Sequence, residues 1–440
     1  MIFLILLAAI LFIILATVRF KMHPVLSLTI AAVGAGLLLG MSPSEIVKSM
    51  GDGLGKTLSG IALVIAFGSI IGVYLEKTGA TQILAQTILK LVGDKKSPLA
   101  INLAGFVVSI PVFCDSGFII LSRLNKALSA KSGVPVLVFA IALSTGLYAA
   151  HVFVPPTPGP LAAAAILEAD LGLVLLLGLA VAIPVSLTGY LWATFSGSSL
   201  EQSNAEDKII AEESISSSTL NPFQAFLPLL VPIVLIAMKS IVNHPSHFFG
   251  EGYFFLFFDF MGNPILALLT GVFFAFGLAR KVPNAEKSDW VPEALKQAGS
   301  IVLITGAGGA FGAVLRTVDI TEAFNLSSVS GWGSFLIIFA IAATLKTAQG
   351  SSTVAIITTS AIVAPLLYGF GLISEIDKAL GVLAIGAGAM TVSHINDSYF
   401  WVVSQFSQME VKTALKGHSL ATLFQGLVAI SIILLLGVLI

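Results

Sequence analysis

The stretch that decides the fold begins at Lys95-Lys96, runs through an apolar segment at 98–110, and turns at Pro111-Val112-Phe113-Cys114-Asp115-Ser116-Gly117. A second apolar segment, 117–128, follows, with Arg123, Lys126 and Lys131 along and beyond it. Neither segment can cross about 30 Å of hydrocarbon as a helix, which takes about 20 residues. A single crossing made of both would place basic groups on opposite faces, whereas lysine and arginine collect on the cytoplasmic side. A helical hairpin that dips to mid-membrane and returns satisfies both constraints. The stretch 333–370, with its tip at Gln349-Gly350-Ser351-Ser352, has the same build.

The rest of the chain agrees with a membrane setting. Of 440 residues, 57% are hydrophobic and only 10% are charged, against roughly one charged residue in four for a soluble domain. That much apolar surface cannot be hidden in water, so the chain is an all-α polytopic membrane protein, long enough for about ten crossings. A net charge of −1 without a basic cluster excludes a nucleic-acid partner. Cys114 is the only cysteine, which removes an internal disulfide and a multi-cysteine zinc site. His-Glu-x-x-His, Gly-x-Ser-x-Gly and Gly-x-x-x-x-Gly-Lys-Ser/Thr are missing, so an enzyme, a metal centre, a cofactor and nucleotide-driven pumping are not expected. The apolar run 2–18 precedes Arg19 and Lys21, the reverse of a signal peptide, and reads as a retained first span.

With the N-terminus outside and both hairpins re-entrant, only Lys48, Lys56, Lys239, Arg316, Lys346 and Lys378 of the 22 basic residues fall outside. That asymmetry orients the chain, with the C-terminus also outside. The Ser-rich acidic stretch 197–221 lies near the midpoint and reads as a cytoplasmic linker. Each flanking part, 1–196 and 222–440, then carries about five spans, one hairpin (near 97–131 and 333–370) and one unwound helix. An odd number of crossings turns the second part upside down. A shift of 240 residues sets Gly68 on Gly308, Gly72 on Gly312 and Thr81 on Thr321, which suits two inverted repeats, the signature of a secondary transporter.

Four constellations carry the candidate chemistry. At the first tip, Asp115 is a costly charge at depth, roughly 2.5–3.5 kcal/mol on insertion scales. Its competing role is to cap the following half-helix. Beside it, Ser116 and Gly117 suit close contact with a carboxylate at a helix N-terminus. His151-Val152-Phe153-Val154-Pro155-Pro156-Thr157-Pro158-Gly159-Pro160 cannot be continuous helix, and irregular backbone at depth must be buried or line a wet cavity. Ser393-His394-Ile395-Asn396-Asp397-Ser398 is its counterpart, with a plain loop between spans as the alternative. Gly350, Ser351, Ser352 and Thr353 offer hydroxyls and backbone N–H groups without charge, with helix packing as the close competitor. The Gly68/Gly72 and Gly308/Gly312 pairs read as close helix packing. Lys346 reads first as a lysine snorkelling to an interface, with pairing to a substrate anion as the lesser alternative. His23, His244, His247 and His418 receive no role.

Val112-Phe113-Cys114-Asp115-Ser116-Gly117-Phe118, His151 through Pro160, and Ser393-His394-Ile395-Asn396-Asp397 with Phe400-Trp401 resemble the gluconate permease family, bacterial gluconate:proton symporters of the ion-transporter superfamily. The resemblance spans the whole chain. It implies uptake of a sugar acid with a proton across the bacterial inner membrane, and a scaffold against which the hairpin-bearing part moves as an elevator. This chain departs from the family pattern at Cys114-Asp115, where gluconate members carry Phe-Glu, and at Thr157, where they carry histidine. The substrate is therefore gluconate, another hydroxy or keto sugar acid, or D-serine. The expected substrate contacts are Ser116, Gly117, His151, Thr157, Gly350, Ser351, Ser352, Thr353, His394 and Asn396, with Asp115 or Asp397 as proton carrier. Sodium held by unwound carbonyls and Asn396/Asp397 is the alternative coupling ion, a channel the alternative class, and a homodimer is compatible with either.

Overall fold

The computed structural model describes residues 2–93, 96–197, 220–243, 252–317 and 332–439, and among them every regular element is helical. Most of the linker expected at 197–221, His244, His247 and Thr321 lie outside the described residues. Eight helical stretches are long and apolar enough to cross a membrane, and several shorter apolar ones, including Ser97–Ser109, are not.

The first three helices are α1 (Ile2–Val18), α2 (Pro24–Leu38) and α3 (Pro43–Lys77), the last with 35 residues. Hydropathy marks only 58–75 of α3. Its real start is set by a capping box: Ser42 Oγ accepts from the Glu45 N–H, and the Glu45 carboxylate accepts from the Ser42 N–H at 2.8 Å, with Pro43 at the first helical position. Next come α4 (Ala80–Val92), α5 (Ser97–Ser109) and α6 (Cys114–Ser132), then α7 (Val136–Phe153), α8 (Pro158–Leu167) and α9 (Leu171–Ser196). The apolar run 161–192, expected as one segment, is two helices. Glu168 adopts left-handed backbone and Asp170 caps α9, accepting from the Leu173 N–H at 2.7 Å.

After residue 220 the order is α10 (Pro222–Val242), α11 (Tyr253–Met261), α12 (Pro264–Leu278), the short α13 (Asn284–Lys287) and α14 (Trp290–Leu315). The chain continues with α15 (Trp332–Gln349), α16 (Ser352–Val363), α17 (Glu375–Met390), α18 (Ser398–Phe406), α19 (Val411–Ala414), a π-helical turn at Leu415–Ser419, and α20 (Leu420–Leu439).

Two packed units position the site. Helices α3 and α14 make the most extensive helix pair among the described residues. They approach closely because small residues meet there: Gly53 faces Gly309 and Ala313, and Gly309 faces Thr57. The second unit is built on α7, buried from Leu137 through Phe153, which packs against α5, α6 and α9. A helix apolar on every face is the one that belongs inside a bundle. The units meet at glycines of α3. A Cβ on Gly72 would stand 2.5 Å from the Pro111 carbonyl oxygen, and one on Gly68 would stand 3.3 Å from that of Pro156. Where the sequence suggests close packing of helix on helix, Gly68 and Gly72 instead admit the backbone of the two interrupted segments.

Candidate functional site

Each broken segment stops for a local reason. Pro111 has no N–H, and the helix resumes only at Cys114. The interruption after α7 covers Val154 to Thr157, narrower than the ten-residue proline stretch. His151 stays in the last turn of α7, while Pro158 and Pro160 sit in the first turn of α8, where a missing N–H costs nothing. Between α15 and α16, Gly350 takes φ 85°, and its Cα faces the Asn396 carbonyl so closely that a side chain has no room. The residues from Thr391 to Asp397 separate α17 from α18.

These interruptions converge on a cavity of about 240 Å³. Its wall includes Cys114 and Asp115 from the start of α6, Ser351 to Thr353 from the start of α16, His151, Asp397 and Tyr399, closed by Ser300, Ile301 and Ile304 of α14. Two helix N-termini therefore face one space. Each leaves backbone N–H groups without intrahelical partners and a partial positive charge of about half a unit. Ser351 Oγ accepts from the Val354 N–H at 3.4 Å, so one orphan donor of α16 is capped and its neighbours face the cavity. His151 Nε2 lies 3.4 Å from Thr353 Oγ1 and its ring is 6.2 Å from that of Phe113, which sets it between the two breaks. A second space, lined by Gly68, Ser69, Phe113, His151 and Thr157, adjoins the same histidine.

The two acids differ sharply. Asp115 makes no side-chain cap for α6, and its Oδ1 is buried without a hydrogen-bond partner among the described residues. Asp397 is fully engaged: it caps α18 by accepting from the Tyr399 N–H at 3.0 Å, accepts from Ser393 Oγ at 2.5 Å, and is ion-paired with Lys346. Lys346 also donates to the Gly350 carbonyl at 2.6 Å, and its ammonium stands 5.8 Å from the Tyr148 ring centroid. No group of three or more His, Cys, Asp or Glu side chains converges for a metal ion among the described residues.

A model of the family described as GntP family permease matches residues 1–439. The chain belongs to the GntP family of permeases. It is 33% identical to a gluconate permease of Pseudomonas aeruginosa over 434 residues, covering 95% of this chain and 94% of that one. To the high-affinity gluconate transporter of Escherichia coli it is 32% identical over 412 residues, 92% of each chain. Among solved structures, Neisseria gonorrhoeae MtrF, described as illuminating a class of antimetabolite efflux pumps, superimposes with a TM-score of 0.64 at 14% identity, over 90% of this chain and 84% of that one. That likeness concerns the fold.

Within this GntP permease the sequence-predicted residues divide by place. Asp115, His151, Ser351, Ser352, Thr353 and Asp397 share the cavity wall. Thr157 lies in the neighbouring space, its Oγ1 donating to the Val154 carbonyl at 2.7 Å. Ser116, Gly117, Gly350, His394 and Asn396 are outside the wall. A Cβ on Gly117 would meet Leu147, and Asn396 Nδ2 donates to the Ala348 carbonyl at 2.6 Å while His394 Nε2 lies 3.0 Å from that of Thr347. Those last two brace the end of α15.

Lys346 and His418 are the residues the sequence undervalued. Lys346 does not snorkel: it is 1% exposed and neutralises Asp397. A lone charge at the end of an apolar segment was the available signal that it needs a partner at depth, though not which partner. His418 is also fully buried, Nδ1 3.1 Å from Ser144 Oγ and Nε2 3.1 Å from Ser393 Oγ. The π-helical turn that carries it inward leaves no local trace in composition.

Proposed function

We propose that this permease imports a sugar acid such as gluconate together with a proton across the bacterial inner membrane, with the cavity at the helix breaks as the substrate site. The observation that carries the proposal is the convergence of two helix N-termini, with the hydroxyls of Ser351, Ser352 and Thr353, beside the carboxyl of Asp115, whose Oδ1 is buried without a hydrogen-bond partner among the described residues. Oriented N–H groups at a helix start suit a carboxylate, and the hydroxyls suit the polyol chain of a sugar acid. The gluconate-carrying relatives support the substrate class.

Asp115 is the coupling group. A charged carboxylate next to the anion site repels the substrate, and a proton removes both that repulsion and the cost of a buried charge. Asp397 serves instead to hold Lys346 and the second break in place. The recurring order of a long helix, a broken pair, a broken helix and another long helix (α3 with α5 to α9, α14 with α15 to α18 and α20) supports halves 1–196 and 222–440 as inverted repeats, N-terminus outside. The unit built on α7 then slides along α3 and α14 as an elevator, the broken pairs entering the membrane as hairpins.

Uptake of labelled gluconate, other sugar acids and D-serine into proteoliposomes, with pH and Na⁺ gradients imposed separately, tests the proposal. Accumulation of a sugar acid driven by an inward proton gradient in Na⁺-free buffer is expected. A strict Na⁺ requirement refutes proton coupling, and dissipative flux alone refutes symport.

A further inference from the structure

A further and larger cavity, about 390 Å³, opens at the end of the α3/α14 pair away from the helix breaks. Its walls are mostly small and apolar, from α3, α8 and α14, but its mouth holds Asp52, Lys56, Glu168 and Arg316. Lys56 Nζ donates to Glu168 Oε1 at 2.8 Å and Arg316 donates to the same oxygen at 2.7 Å. These side chains are between 42% and 68% exposed, so the cluster stands in water rather than in the core. Arg316 is further fixed by donating to the Ile166 carbonyl at 3.3 Å.

Position joins this mouth to the candidate substrate site. The cavity floor reaches Val64 of α3 and Leu161 of α8, whereas the space around His151 and Thr157 is lined by Gly68 and Pro158. Four residues of helix separate Val64 from Gly68, about 6 Å. That space in turn shares Phe113 and His151 with the cavity at the helix breaks. The charged mouth and the space around His151 thus follow one another along α3, and the latter adjoins the cavity that holds the hydroxyls.

Glu168 is the unusual member. It ends α8 in left-handed backbone, φ 55° and ψ 41°, a region that disfavours a side chain and where glycine is the common choice. A residue held there against its backbone preference invites a functional explanation for its side chain. What Glu168 contributes is one carboxylate facing two cations.

We propose that Lys56 and Arg316 form an entry site for the carboxylate of the incoming sugar acid, and that Glu168 occupies it until the substrate carboxylate takes its place. Two acids and two bases make the mouth neutral, so an anion enters by exchange for Glu168 rather than by addition. In the exchange the two cations keep one carboxylate partner, and exposed ion pairs of this kind are weak enough to trade partners rapidly. The proposal rests on the transport function above and on the α3 start facing outside.

Exchange predicts opposite signs for the two kinds of variant. In proteoliposome uptake at low ionic strength, Lys56→Gln and Arg316→Gln each raise KM about two- to five-fold with Vmax retained, while Glu168→Gln lowers KM by a similar factor. All three effects shrink in about 1 M salt balanced across the membrane, where the screening length falls to about 3 Å. If the cluster only ties α8 to α3 and α14, breaking it from either side acts alike. Shifts in the same direction for all three variants, or changes in Vmax alone, therefore overturn the entry site while leaving the transport function standing. Absence of sugar-acid uptake by the unaltered chain overturns both.

Discussion

Replacing Asp397 by Asn removes the charge that neutralises Lys346 and leaves an ammonium that is 1% exposed without its counter-ion. Breaking one side of a buried pair costs about 3–5 kcal/mol, because the remaining charge keeps its desolvation penalty. Here Lys346 retains its bond to the Gly350 carbonyl at 2.6 Å, which offsets part of that cost and places the expected loss near the lower end. Replacing both charges, Lys346→Met with Asp397→Asn, leaves no orphan ion and should recover most of the stability. The single thiol reports the outcome: Cys114 is buried, so a thiol-reactive fluorophore labels it only as the fold opens. Thermal ramps on detergent-solubilised protein should show a clear fall in unfolding temperature for Asp397→Asn and for Lys346→Met. The double variant should then be more stable than either single one. Simple addition of the two single losses in the double variant would show that the residues act independently, and the buried pair would have to be abandoned as the anchor of the second break.

Asp115→Asn should abolish accumulation driven by a pH gradient while sparing exchange between equal pools; normal accumulation would move the proton to another group. Ser352→Ala should weaken gluconate binding roughly ten- to a hundred-fold if its hydroxyl meets the carboxylate, since a hydrogen bond to a charged group is worth about 1.5–3 kcal/mol; unchanged affinity by calorimetry would leave it a packing residue. Burial opposes ionisation of Glu168, but Lys56 and Arg316 prevail and hold its carboxyl below the ordinary range. Its contribution to stability is thus present above the unfolded-state carboxyl value and is lost as pH falls through the lowered one. Thermal ramps from neutral to acidic pH should show that increment in the native chain and not in Glu168→Gln; identical pH profiles would contradict it. Cysteines at positions 96 and 131, in a Cys114→Ser background, should label from the same side of the membrane, and labelling from opposite sides would remove the first hairpin.

What was legible in the sequence is what apolar length and proline declare. The short segments 98–110 and 117–128 correspond to α5 and α6, and Pro111 marks their separation. The polar stretch 393–398, five of its six residues polar, likewise falls at the gap between α17 and α18. Boundaries set by capping were less visible: α3 gains fifteen residues before the apolar run, and Glu168 to Asp170 divide what composition presents as one span. Side-chain pairing was hidden altogether. Asp397 and Lys346 lie 51 residues apart, so their mutual neutralisation depends on tertiary packing. The same holds for His418, whose partner Ser144 is 274 residues away.

Calorimetry of gluconate binding to the purified permease measures directly whether a proton is taken up with the sugar acid at Asp115. Binding heats compared in two buffers of different ionisation enthalpy give the protons absorbed per ligand. Coupling at Asp115 predicts about one proton per gluconate at a pH where Asp115 is ionised in the free protein, falling to none in Asp115→Asn. Binding that absorbs no proton in the native chain, or that appears only when Na⁺ is supplied, would contradict it.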